Sequence, residues 1–255
     1  MLVIERRLYG DRHPQVADTL VNLGAIQYER GRYADAERYQ REALEIIRAW
    51  HGPQHPRTAS ALTMVARAIV QQAERYDEAA AMPNGSLAIQ EGAYGPVHPR
   101  VASALNELGI VALRRRQMDE AEKLFQRMVG IYREVYADKH YYIGVGLSNL
   151  GGVEQERGAY AKAESLFREA LRRYGDTLTP GHQLIGIARV RLGRAILGQR
   201  RYREAEAESL AGYQILTKQT HPPERWVAYA REDLAAAYDA LKQRDRAAIY
   251  RKVIQ

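Results

Sequence analysis

The sequence predicts an all-α chain built from stacked pairs of helices. Three observations predict it. First, histidines 13, 55, 98, 140, 182 and 221 recur at steps of 42, 43, 42, 42 and 39 residues, and a period of about 40 with helical spacing inside it marks a repeat array. Second, apolar residues within each period fall three or four apart, as on the buried face of an amphipathic helix. Third, small residues return in the same slots of each period, where two helices must approach closely.

The elements follow in order. Residues 2–9 read as a short helix ended by Gly10, which supplies a left-handed stop. It occupies the place of a second helix whose first is missing, so a longer array is expected upstream. Its unpaired face should expose Leu2, Val3, Ile4 and Leu8. In the first repeat, Pro14 follows His13 and suits the first turn of a helix, where its missing N–H is harmless. Val16, Leu20, Leu23 and Ile26 form one face of that helix. Gly31 ends it and Tyr33 opens the next, whose inner stripe is Ala36, Tyr39, Ala43, Leu44 and Ile47. Gly52-Pro53 then breaks the chain before His55-Pro56 restarts it.

The same slots refill downstream. The crossing slot holds Gly24, Ala66, Gly109, Gly151, Gly193 and Ala235. The opening slot of each second helix holds Tyr33, Tyr76, Met118, Tyr160, Tyr202 and Arg244, and the small slot after it is always Ala: 36, 79, 121, 163, 205 and 247. The expected repeats are 13–54, 55–97, 98–139, 140–181, 182–220 and 221–255, all in one solenoid spanning 1–255. One departure is Pro83, inside the second helix of repeat two, which should kink or break that helix at about 3 kcal/mol. Ser86 there stands in the slot that Ala43 fills in repeat one.

Composition agrees. Hydrophobic residues make up 46%, enough for a core shared between neighbours, and Tyr (17) far outnumbers Phe (2). Tyr suits a shallow helix-on-helix core, with its ring buried and its hydroxyl reaching water. Without cysteine, disulfide and thiolate chemistry are excluded. No apolar run approaches the roughly 20 residues that span a bilayer, so a cytoplasmic location is expected.

Leu23-Gly24, Gly31-x-Tyr33-x-x-Ala36 and Ala43-Leu44 resemble the tetratricopeptide repeat, and the 42-residue step with its His-Pro opening resembles the kinesin-light-chain variety. The resemblance covers about residues 10–255 and implies a right-handed superhelical solenoid whose first helices line a concave, partner-binding groove. The section from Gly181-His182 through Gly193-Arg194 to Ala235–Leu241 also resembles the C-terminal repeats of bacterial serine/threonine protein kinases.

Catalysis is not expected, because P-loop, H-E-x-x-H, G-x-S-x-G and kinase signatures are all missing. No metal or other cofactor is expected either. The repeat histidines are separated by whole helix pairs, helices pack 8–10 Å apart, and zinc ligands sit about 2 Å from one ion. These histidines are expected to cap helices and to bond between repeats. Acidic residues are expected as solvated surface charges beside Arg and Lys.

The family resemblance directs attention to the slot before the crossing Leu-Gly, where an Asn often grips a peptide backbone. Here it holds Asn22, Met64, Glu107, Asn149, Arg191 and Asp233, and the slot three further on includes Arg67 and Arg194. An Asn amide both donates and accepts, as a peptide bond requires, while guanidinium forks clamp carboxylate or phosphate. Asn149, Arg191 and Arg194 are therefore the expected acidic-ligand site, with Asn22 and Arg67 extending the groove. The expected partner is a protein or peptide, with self-association through the terminal helices as a further route. A peptide-signal sensor would use the same groove. Nucleic acid is the weaker alternative: the charge is +7, but Arg114-Arg115-Arg116, Arg172-Arg173 and Arg200-Arg201 lie near helix ends rather than in one aromatic-interleaved stripe.

Overall fold

The structure, a computed structural model, describes residues 1–72 and 75–251. The last four residues of the sixth predicted repeat therefore lie outside the described residues. Among those described there are thirteen α-helices: α1 (Leu2–Tyr9), α2 (Pro14–Glu29), α3 (Tyr33–His51), α4 (Pro56–Val70), α5 (Tyr76–Tyr94), α6 (Pro99–Arg114), α7 (Met118–Val135), α8 (Tyr141–Glu156), α9 (Tyr160–Gly175), α10 (Gln183–Gly198), α11 (Tyr202–Thr217), α12 (Glu224–Ala240) and α13 (Arg244–Arg251). Every second helix of a pair begins at the residue the repeat grammar assigns. None of the helices is long and apolar enough to cross a membrane among the described residues.

The chain divides into two compact units, Met1–Val135 and Tyr136–Gln255. In the first, α2, α4 and α6 pair with α3, α5 and α7, each pair packs on the next, and α1 rests on α2. Its core joins Val16, Leu20, Ile47, Val65 and Ile69. In the second, α8, α10 and α12 pair with α9, α11 and α13, around Phe167, Leu192 and Ile196 and around Val190, Leu216 and Val227.

The crossing slot works by contact. A Cβ on Gly109 would lie 2.5 Å from the Phe125 ring, and one on Gly151 would lie 2.6 Å from the Phe167 ring. Either distance is below what real Cβ atoms show, so the first helix reaches the second only because the side chain is missing. The alanines at 36, 79, 121, 163, 205 and 247 are at most 1% exposed. Tyr132, Tyr174 and Tyr238 are buried in the helix-on-helix core.

The histidines cap helices, as expected. The Nδ1 atoms of His13, His55, His98, His140 and His182 accept the N–H two residues on, at 3.1–3.2 Å. Four of them also stack on an aromatic ring four residues earlier: Tyr9 on His13, His51 on His55, Tyr94 on His98 and Tyr136 on His140. His221 differs, because the shortened step places Pro223 at the cap of α12.

Two expectations are corrected. Pro83 does not break its helix: α5 runs unbroken from Tyr76 to Tyr94. The lost backbone bond is offset by packing on α4. Ser86 is fully buried and shares a hydrogen bond with Thr63 (2.8 Å), and the Gln90 amide donates to Pro56 O and Ser60 Oγ. Tertiary contacts of this kind supply most of a helix's stability in a folded protein. In α1, Val3, Ile4 and Leu8 are exposed, but Leu2 packs against the first unit's core.

Replacing Gly151 by Val should lower stability by about 1–3 kcal/mol through overpacking against Phe167, measured by urea denaturation. His98→Ala should remove about 1 kcal/mol as a lost helix cap, and His98→Asn should recover most of it.

Candidate functional site

The site is built on the first helices of the second unit. There α10 packs against both α8 and α12, so residues on one α10 face meet side chains from each. Arg191 and Arg194 lie three apart, which puts them on that face. One guanidinium nitrogen of Arg191 donates to Ser148 O (2.8 Å), Ser148 Oγ (3.0 Å) and Asn149 Oδ1 (3.5 Å) on α8. On the α12 side the guanidinium lies 4.8 Å from the Trp226 ring centre, within cation–π range. The structure thus brings Asn149 and Arg191 into contact.

Arg194 is differently placed. Its Nε donates to Asp233 Oδ1 (3.0 Å), its Nη2 donates to Glu232 Oε2 (3.1 Å), and its guanidinium lies 4.2 Å from the Tyr229 ring centre. Its expected carboxylate ligands are already supplied by α12. Asp233 is 4% exposed and its Oδ2 has no hydrogen-bond partner. Burial pushes the Asp233 carboxyl up to about 6, against the opposing pull of Arg194.

In the first unit Asn22 is exposed on α2. Arg67, on α4, lies 4.3 Å from the Tyr28 ring centre and 4.0 Å from the Glu29 carboxylate. No hydrogen bond joins Asn22 to Arg67 among the described residues. Glu107 on α6 is buried, which raises its carboxyl, while the Arg67 charge draws it back down. The slot plan therefore repeats in each unit: an Arg three beyond the slot, and an acid in the slot of the next repeat.

Those acids correct the expectation that acidic residues are simply solvated. Glu37, Glu107, Glu154 and Asp233 are all buried. Arginines on the same or the neighbouring repeat pair with Glu37, Glu154 and Asp233, while Glu107 accepts from the Asn106 amide (3.0 Å) and feels the Arg67 charge. Glu37 accepts from Gln72 (2.6 Å), Arg75 (2.7 and 2.9 Å) and Arg41 (2.7 Å). Burial pushes its carboxyl up, but these donors outweigh it and hold it down at about 2. The second unit repeats the cluster with Glu164, which accepts from Gln199 (2.8 Å), Arg201 (2.5 Å) and Arg168 (2.9 and 2.8 Å). Several arginines of the basic runs are likewise paired: Arg115 with Asp77, Arg173 with Asp138, and Arg201 with Glu164 and Glu204.

The sequence alone gives Trp226, Tyr229 and Glu232 no role at this site. The signal was present: Trp226, Tyr229 and Asp233 stand at i, i+3 and i+7, one helix face. Nothing in the sequence says that this face meets Arg191 and Arg194. The described residues hold no group of three or more His, Cys, Asp and Glu able to bind a metal ion.

Stacked helix hairpins with a glycine or alanine crossing define a helical-repeat protein. The tetratricopeptide repeat family model matches residues 2–48, 15–91, 68–134, 100–176 and 142–218, and the chain belongs to that family. Repeats of this family generally mediate protein–protein interaction and scaffolding. Solved structures agree on the fold. A Podosopora anserina repeat protein of kinesin-light-chain type is 20% identical with a TM-score of 0.60, over 82% of this chain and 98% of that one. BtubC (BKLC) from P. vanneervenii is 19% identical with a TM-score of 0.65, over 84% and 86%. Pseudomonas aeruginosa pilF is 19% identical with a TM-score of 0.57, over 92% and 88%. A search of the curated proteins finds no match.

Glu37 is ionised well below its usual range, so the stability it contributes is present at neutral pH and is lost as pH falls from about 4.5 towards 2. Glu37→Gln should therefore lose on the order of 2 kcal/mol at pH 7, a figure reduced for the solvent that reaches its arginines. The difference from the parent protein should shrink in urea melts as pH is lowered towards 3.

Proposed function

We propose that this chain is a peptide-binding scaffold whose second unit holds an acidic partner on the face formed by α8, α10 and α12. The observation that carries this is the setting of Arg191. It is only partly buried, steadied by Ser148 and Asn149 on one side and by the Trp226 ring on the other. A cation held in this way has lost much of its side-chain freedom before a ligand arrives, which favours affinity. Asn149 offers an amide for the ligand backbone, and Trp226 and Tyr229 offer apolar surface for its side chains. Asn22 and Arg67 form a second contact face on the first unit.

The pairing of Arg115, Arg173 and Arg201 with the chain's own carboxylates supports a protein ligand over nucleic acid, since phosphate contacts need cations available to displace counterions. Residues 1–255 are read as one scaffold or regulatory segment of a cytoplasmic protein.

Arg191→Ala should weaken capture of the partner by about tenfold or more, while circular dichroism stays unchanged. The test is a pull-down followed by calorimetry on the captured partner. Undiminished affinity in that variant would remove the site from consideration.

A further inference from the structure

The acids on α12 occupy Arg194 where a ligand carboxylate would sit. Glu232 is 54% exposed at its side chain and Asp233 is 5% exposed, so one acid is at the surface and the other is beneath it. Arg194 itself is 30% exposed and can be reached from solvent. We infer that Glu232 and Asp233 act as an internal stand-in for an acidic ligand, and that neutralising Asp233 frees Arg194 to bind one. This inference rests on the reading of the α8–α10–α12 face as a peptide site and assigns that site a regulation.

The geometry gives Asp233 an unusual position. One oxygen is held by Arg194, while the other is buried without a donor. Oδ2 has no donor to displace, so it is the oxygen open to a proton. A proton there would remove a poorly solvated negative charge and weaken the charge-assisted bond that holds Arg194 to Oδ1. The elements packed against α12 carry other charges, and several of these have partners of their own. On α11, Glu206 pairs with Arg246 and Glu208 with Arg189. Tyr213 of α11 lies under Arg231, and on α13 Arg251 pairs with Asp239. On α10, Arg191 is engaged by Ser148, Asn149 and Trp226. The groups that act on Asp233 are Arg194 and its neighbour Glu232.

Burial raises the Asp233 carboxyl to about 6. A ligand aspartate in water titrates near 3.9, so between these values the internal acid is neutral while the ligand is still charged. In the first unit Glu107 is also raised by burial and feels the Arg67 charge, but it accepts from Asn106 rather than from an arginine.

The test uses the full chain and an acetylated hexa-aspartate peptide, with affinity measured by calorimetry at pH 7.5 and pH 5.5. The parent protein should bind about tenfold tighter at pH 5.5, a factor typical of coupled sites. Asp233→Asn should bind tightly at both values, and Arg194→Ala weakly at both. Glu232→Gln, a surface change that leaves the core untouched, should bind tighter than the parent at pH 7.5 and keep its pH response. Equal affinity at the two pH values in the parent protein would overturn the gate while leaving the peptide site standing. Absence of binding by every variant at both values would overturn the gate and the peptide site together.

Discussion

Close approach between the two helices of each pair is the constraint on which this fold depends. The first helix carries Gly or Ala at its crossing slot, and in repeats three and four a Phe ring fills the space that a side chain would need. The second helix answers with a buried Ala one turn from its start. Dispersion contacts are individually small but numerous, and they vanish quickly when surfaces separate. A single added methyl group at the crossing therefore disturbs far more than its own volume.

Polar contacts then decide how one pair meets the next. Glu37 and Glu164 each sit at the start of a second helix and gather two arginines and a glutamine. Buried charges are tolerated only when paired and hydrogen-bonded. Such a cluster therefore disfavours any shift of one repeat against its neighbour, since a shift would leave a carboxylate unpaired. The caps at His13, His55, His98, His140 and His182 act at the same joints. Each satisfies an N–H that the helix itself cannot.

The candidate site uses the same materials. Arg191 and Arg194 join α10 to its neighbours and also present cationic surface. The residues that stack the helices and those proposed to meet a partner are thus the same on this face. This explains why the site has aromatic rings and carboxylates in close company with its arginines. The rings steady the guanidinium groups, and the carboxylates balance a charge that would otherwise repel its neighbour.

Much of this was legible in the amino-acid order. Helix starts, the crossing slot, the alanine slot and the histidine caps depend on residues close along the chain, and a period of about 40 exposes them by repetition. That Asn149 and Arg191 occupy the same slot in successive repeats is likewise legible, though their contact is not. The unbroken α5 was not, since a proline's local penalty can be read from sequence while the compensating contacts of Ser86 and Gln90 with α4 cannot. Nor was the capture of Arg194 by Glu232 and Asp233 on α12, some 38 and 39 residues away. By itself the sequence determined which residues form helices and which helices pair, because those choices are local and periodic. Only the tertiary structure decided which charges are buried and which arginines are already engaged, because that depends on the separation of side chains on different helices.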